Sequence, residues 1–195
     1  VTGMVIVALY NFVDTIYVGN GVGTDAIAGL TIILPILIFI IAIGLLTGIG
    51  SASIVSRSLG KGDKDRALLA AGNSFIINMI LNIVVIAVFY FFMDEILKFL
   101  GASPAILPYA NDYLSIMLFG FIFFSLSINS NNLIRAEGRP RASMYAMVIG
   151  AVLNIILDPI FIFVLKMGVR GAAIATVISQ ISSLIFIIIY FRSRA

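Results

Sequence analysis

Two carboxylates stand where carboxylates are expensive. Asp158 lies in NIILDPIFIF (Asn154–Phe163), and Asp14 lies in YNFVDTIYV (Tyr10–Val18). Each is the one acid in a run of otherwise uncharged, mostly apolar residues, Ala142–Leu165 and Val1–Val18. An unpaired charge inside a bilayer costs at least a few kcal/mol, so such residues are functional candidates by default. Polar neighbours follow at helical spacing. Tyr10 precedes Asp14 by four and Asn154 precedes Asp158 by four, which sets each pair on one helix face a turn apart. Thr176 lies five residues into the last apolar run, with Gln180 one turn further on the same face. Carboxylate, amide, hydroxyl and phenol make a hard-oxygen set, suited to Na⁺ or to protons and not to a soft transition metal. Pro159 adds a break, since it has no N–H for the Ile155 carbonyl and its ring crowds that carbonyl. The helix can bend there, as helices do at the coupling-ion sites of transporters. The chain has no histidine and no cysteine. Disulfides, thiolate nucleophiles, Cys/His zinc sites and His-based triads are therefore excluded, and no cofactor beyond a coupling ion is implied.

The elements that must hold these residues are membrane helices. Of 195 residues, 62% are hydrophobic and 11% charged, with mean hydropathy +1.18, whereas a soluble domain carries about a quarter charged residues. Ala26–Ser56, Ala67–Met93, Tyr113–Ile134 and Gly171–Phe191 contain no Asp, Glu, Lys or Arg, and each exceeds the roughly 20 residues that cross a bilayer. With the two single-acid runs they make six transmembrane helices, approximately 1–19, 25–56, 67–93, 105–135, 141–165 and 171–192. The fold class is thus an all-α polytopic membrane protein; the ten-residue alternation of a membrane β-barrel is absent.

The first and fifth runs point the same way. Asp14 lies five residues before Gly19 and Asp158 eight before Lys166. At about 1.5 Å per residue both acids fall in the outer half of the membrane, within about a turn of each other. Orientation comes from the loops. Arg57, Lys61, Lys64, Arg66, Arg135, Arg139, Arg141, Arg192 and Arg194 share one side, against Lys98, Lys166 and Arg170 on the other. Nine against three is a positive-inside bias; it places both ends of the segment in the cytoplasm, as for a bacterial inner-membrane protein. The basic excess is then topology and a contact for lipid phosphates, not a nucleic-acid patch. The chain begins with Val inside an apolar run and shows no basic n-region of a signal peptide, which reads as a fragment.

Between the runs, Gly19–Gly23 (GNGVG) reads as a tight turn, Asp25 as a cap or first-turn acid, and Ser103-Pro104 as N-cap and N1 of the fourth long helix. Met93–Leu114 reads as an outer segment with a short interfacial helix. Gly44, Gly48, Ala52 and Ser56 recur every four residues as a ridge for close helix approach. Asn73, Asn78 and Asn82 on the third run read chiefly as bridges between helices.

At these residues the chain resembles the multidrug and toxic compound extrusion (MATE) family of cation-coupled efflux transporters. The likeness rests on YNFVDTIYVGNGVGTDAIAGL, SRSLGKGDKDRA, LGASPAILPYANDYL, NNLIRAEGRPRASM and LNIILDPIFIF, which together run through nearly the whole chain. It implies a twelve-helix transporter of two six-helix lobes, of which this chain is the N-terminal one and the C-terminal lobe is absent. It also implies a central cavity for lipophilic cationic drugs and alternating access. The family's first-lobe cation site falls on Asp14, Asn154, Asp158 and Thr176, with Tyr10 one turn before the first acid. Its fourth-helix asparagine falls on Asn131, with Asn129 and Asn132 competing. The function implied is Na⁺- or H⁺-coupled export, a transporter and not an enzyme.

Two other readings compete. A flippase for lipid-linked oligosaccharide or peptidoglycan precursors shares the fold type but needs cationic residues for pyrophosphate, and no Lys or Arg stands in any membrane run. An intramembrane aspartic protease would use two acids and finds GKGD at Gly60–Asp63, but in a basic loop.

Overall fold

A computed structural model describes residues 13, 16–19 and 21–193; Tyr10, Asp14 and Arg194 lie outside the described residues. Six α-helices follow residue 23: α1 (Thr24–Gly60), α2 (Lys64–Phe91), α3 (Met93–Phe99), α4 (Leu107–Ala136), α5 (Pro140–Pro159) and α6 (Gly168–Arg192). A π-helical turn, Ile160–Val164, extends α5. Five spans, Thr24–Gly60, Lys64–Phe91, Leu107–Ala136, Pro140–Val164 and Gly168–Arg192, are long and apolar enough to cross a membrane. The chain is an all-α polytopic membrane protein.

α4 is the central helix. Leu114, Met117, Leu118, Phe121 and Leu133 on it are almost fully buried. Glycines let its neighbours approach. A Cβ on Gly29 would stand 3.1 Å from Tyr109, one on Gly44 2.9 Å from Ile128, and one on Gly48 3.0 Å from the Asn129 backbone. These pairings climb together along both chains, so α1 and α4 run parallel. α2 is peripheral: its buried residues are Ala67, Ser74, Asn78 and Asn82, while Leu68, Ile76, Ile80 and Val84 are exposed. Polar inside and apolar outside is how a helix suits lipid.

The α1–α2 and α4–α5 turns close alike. Gly62 and Gly138 both take φ 78°, the left-handed conformation glycine adopts without a Cβ clash. Asp63 N–H donates to Ser58 O and Gly62 N–H to Leu59 O; Arg139 N–H donates to Ile134 O and Gly138 N–H to Arg135 O. This is the Schellman pattern, which satisfies the last carbonyls of each helix. Two contacts fix the ends of the bundle. Arg170 meets Asp112 at 2.8 Å, joining the starts of α6 and α4, and Tyr190 Oη donates to Glu137 at 3.5 Å, joining the end of α6 to the α4–α5 turn. The α1–α2 turn, the α4–α5 turn and the end of α6 therefore share one end of the bundle, which carries most of the basic residues.

Three local expectations need correction. Gly19, Gly21 and Val22 are helical, and the break comes at Gly23 with φ 114°, because a single left-handed residue suffices to redirect the chain. Ser103 and Pro104 form a turn whose Ser103 carbonyl accepts from Ile106 and Leu107, so the α-helix starts at Leu107 with Pro108 in its first turn. The four-residue ridge serves α4 at Gly44 and Gly48 only, while Ser56 is exposed and the buried line passes to Ser51, Val55 and Ser58. At about 100° per residue, steps of four gain about 40° each and wind off the contact face.

Candidate cation site

The site begins with the antiparallel packing of α5 on α6. Ser183 Oγ donates to the Ala146 carbonyl at 2.9 Å near one end of the pair. A Cβ on Gly150 would stand 3.5 Å from the Ser179 carbonyl midway. This close seam brings Asn154 opposite Thr176. Asn154 Nδ2 donates to Asp158 Oδ1 at 3.1 Å along its own helix and to Thr176 Oγ1 at 3.3 Å across to α6. Asp158 is fully buried and Asn154 nearly so. Asn154 Oδ1 is buried and accepts no hydrogen bond among the described residues. Such an orphan costs about 1–3 kcal/mol, which a cation or a proton donor would relieve.

Pro159 does not end the helix. The Ile160 amide donates to the Leu157 carbonyl. Leu165 N–H then reaches Ile160 O at 2.9 Å and Met167 N–H reaches Phe161 O at 3.0 Å. The missing proline donor is absorbed by widening the following turn, a π-helical feature that recurs at functional sites. α6 starts against this turn: a Cβ on Gly171 would stand 2.8 Å from Phe161 O. The first run reaches it too, with Tyr17 edge-on to Phe163 at 6.0 Å between ring centroids and Gly21 against Ile162.

Beside the Asn154–Thr176 contact lies a cavity of about 260 Å³ between α1, α4, α5 and α6. Asn154 and Thr176 line one end and Arg135, in the last turn of α4, the other; Asn131, Gln180, Ser127, Ser179 and Ser183 lie along it. Asn131 is thus distinguished from its neighbours. Its Oδ1 accepts from Ser143 Oγ at 2.8 Å, and its Nδ2 donates to the Ser127 carbonyl at 2.8 Å. Asn129 turns to Ser74 on α2, and Asn132 bonds Ile128 O and Arg135. Of the expected set, Asn154, Asp158 and Thr176 are brought together, Asn131 and Gln180 share the adjoining cavity, and Tyr10 and Asp14 fall outside the described residues. The serines of the cavity were not anticipated. Thr176, Ser179 and Ser183 recur at steps of three and four, one α6 face, and that spacing was the available signal.

Asn78 and Asn82 belong to another cluster. Asn78 Nδ2 donates to Thr47 Oγ1 at 2.8 Å and Ser125 Oγ at 3.0 Å, and Asn82 Nδ2 to Ser125 Oγ at 2.9 Å, joining α1, α2 and α4. Asp63 of GKGD caps α2, its carboxylate accepting Arg66 N–H at 3.0 Å in an exposed turn, which is no place for a catalytic dyad. Among the described residues no group of three or more His, Cys, Asp or Glu could hold a metal ion.

Comparison with known proteins gives one answer throughout. The sequence model of the MatE family matches residues 1–160. The multidrug export protein MepA of Staphylococcus aureus is 32% identical over 193 residues, covering 99% of this chain and 43% of that protein. MepA of Staphylococcus haemolyticus is 33% identical, covering 98% of this chain and 42% of that protein. Among solved structures, the MATE multidrug transporter DinF-BH superposes with TM-score 0.92 at 41% identity, over 97% of this chain and 42% of that one. An outward-facing MATE family transporter of the MOP superfamily superposes with TM-score 0.91 at 34% identity, over 98% and 43%. The chain therefore spans less than half the length of these relatives.

Proposed function

The chain belongs to the MatE family, and on that premise we propose that it forms the N-terminal six-helix lobe of a Na⁺- or H⁺-coupled antiporter exporting lipophilic cationic drugs. The second lobe would complete the twelve-helix transporter and its central cavity. The observation that carries the reading is the buried chain Asp158–Asn154–Thr176, with an acceptor oxygen of Asn154 left over. A carboxylate, an amide oxygen and a hydroxyl oxygen are ligands for Na⁺, and the carboxylate alone takes a proton. Asp14 is the proposed second acid, carried by the run whose described end packs on the π-helical turn.

In the proposed cycle, the ion enters from the outer side and neutralises Asp14 and Asp158. That change in charge rearranges the first helix against the Pro159 region, and the drug leaves outward. The ion then departs toward the basic, cytoplasmic end. The flippase and protease alternatives gain nothing from the relatives found. The test uses the full-length protein in proteoliposomes, following ethidium efflux under imposed Na⁺ and pH gradients. One gradient should drive efflux, and Asp158→Asn should abolish drug-dependent ion exchange while the protein stays monodisperse. Normal exchange in that variant rejects the site.

A further inference from the structure

The α1–α2 turn holds a second cavity, of about 140 Å³, lined by Ile54, Arg57, Ser58, Lys61, Asp63 and Arg66. Three cations face one space, and none of them forms a salt bridge among the described residues. The one acid in the lining is already committed: the Asp63 carboxylate accepts Arg66 N–H as the α2 cap. Arg57 is held in place by its Nε donating to the Ser53 carbonyl at 3.0 Å, which leaves its terminal nitrogens for a ligand. The Schellman closure at Gly62 fixes Lys61 between the two helices.

The α4–α5 turn has the same backbone and is basic too, with Arg135, Arg139 and Arg141 against Glu137. There Arg135 bonds Asn132, and Glu137 meets Tyr190 and feels Arg139. The α1–α2 turn differs in gathering three cations and one acid around a hollow, an arrangement that suits an anion. Its surroundings say which kind. Ile54 lines the hollow and is 40% exposed, so an apolar surface begins where the cations end.

We propose that the cavity at the α1–α2 turn binds a phosphate group, that of an anionic lipid whose acyl chains lie along Ile54. Arg57 and Arg66 would grip phosphate oxygens with paired N–H groups, and Lys61 would supply a point charge. The volume is several times a water's share of about 30 Å³, room for a phosphate. This site is independent of the cation site and of the transported substrate.

The experiment is native mass spectrometry of the full-length protein, titrated with dioctanoyl phosphatidylglycerol or dioctanoyl phosphatidylcholine, with and without inorganic phosphate. The wild type should retain phosphatidylglycerol over phosphatidylcholine. Arg57→Gln with Arg66→Gln should weaken the tightest phosphatidylglycerol adduct about tenfold, while Arg139→Gln with Arg141→Gln leaves it intact. An unchanged choline-lipid adduct count and a monodisperse elution show that the double variant is folded; Lys61→Gln alone should give a smaller loss in the same direction. Displacement of the lipid by millimolar inorganic phosphate would keep the phosphate site and assign it to free phosphate. Equal adducts in wild type and the Arg57/Arg66 variant, or equal losses in both double variants, would overturn the proposal.

Discussion

Two polar clusters are buried in this bundle and are built from nearly the same groups. One joins Thr47, Asn78, Asn82 and Ser125; the other joins Asn154, Asp158 and Thr176. In the first, every side chain is an amide or a hydroxyl, which both donates and accepts; the network is neutral and ties α1, α2 and α4 together, with Asn82 Oδ1 its one buried oxygen that accepts no bond among the described residues. In the second, a carboxylate replaces one such group, and an ionised carboxylate only accepts. Within those three side chains, acceptor sites outnumber donors, and the cluster borders a cavity. A neutral network holds helices together; a network with a carboxylate beside a cavity is where we propose that a cation or proton binds.

The sharpest way to break this contrast is to put a carboxylate into the neutral network. Asn82→Asp keeps the shape but sets an acid among α1, α2 and α4, outside the lining of that cavity. The expected result is a loss of a few kcal/mol of stability, read as a fall in monodisperse yield and melting temperature, with no new ion dependence. A well-folded Asn82→Asp protein whose efflux responds differently to Na⁺ would show that position in the bundle, not cavity and charge, makes a coupling site. Next in size is Asn78→Leu, which removes two donated bonds, to Thr47 and Ser125. At about 0.6 kcal/mol each and up to about 1.7, it should cost about 1–3 kcal/mol in a denaturant titration and leave ion coupling unchanged.

Thr176→Val makes the complementary change in the open cluster. It keeps the volume, removes the hydroxyl that accepts from Asn154, and should weaken the half-saturating cation concentration for efflux by about fivefold, near 1 kcal/mol. Melting temperature should move little. If instead stability falls while the ion dependence holds, the open cluster is a structural bridge like the neutral one.

How much of this was legible in the sequence depends on what each feature requires. The uncharged runs announced the helices because lipid tolerates few charges, and the basic loops marked the shared end of the bundle. Asn154 and Asp158 could be paired from their four-residue step. That Asn154 also bridges to Thr176 follows from α5 packing on α6, which no local pattern encodes. Asn129, Asn131 and Asn132 lie within four consecutive positions, turned about 100° per residue, so only the neighbouring helices decide which faces α2 and which the cavity. The serines were opaque for another reason: a serine in a membrane helix can satisfy itself, as Ser179 does on the Ala175 carbonyl, and so need not mark a site.

The smallest expected effect separates the pH dependence of coupling from that of stability. Glu137, in the α4–α5 turn, has its carboxyl pushed above the ordinary carboxylate value, chiefly by burial, with Arg139 and the Tyr190 hydrogen bond pulling the other way. A raised value in the folded protein means the folded state holds the proton more tightly, so this group favours folding below its unfolded value. That contribution disappears as pH rises through the raised folded value. Glu137→Gln should therefore flatten a slight fall in melting temperature as pH rises above the ordinary carboxylate value, leaving efflux against a Na⁺ gradient as in wild type. A pH effect on efflux that survives Glu137→Gln then belongs to the open cluster; one that vanishes with it would remove pH sensitivity as an argument for Asp158.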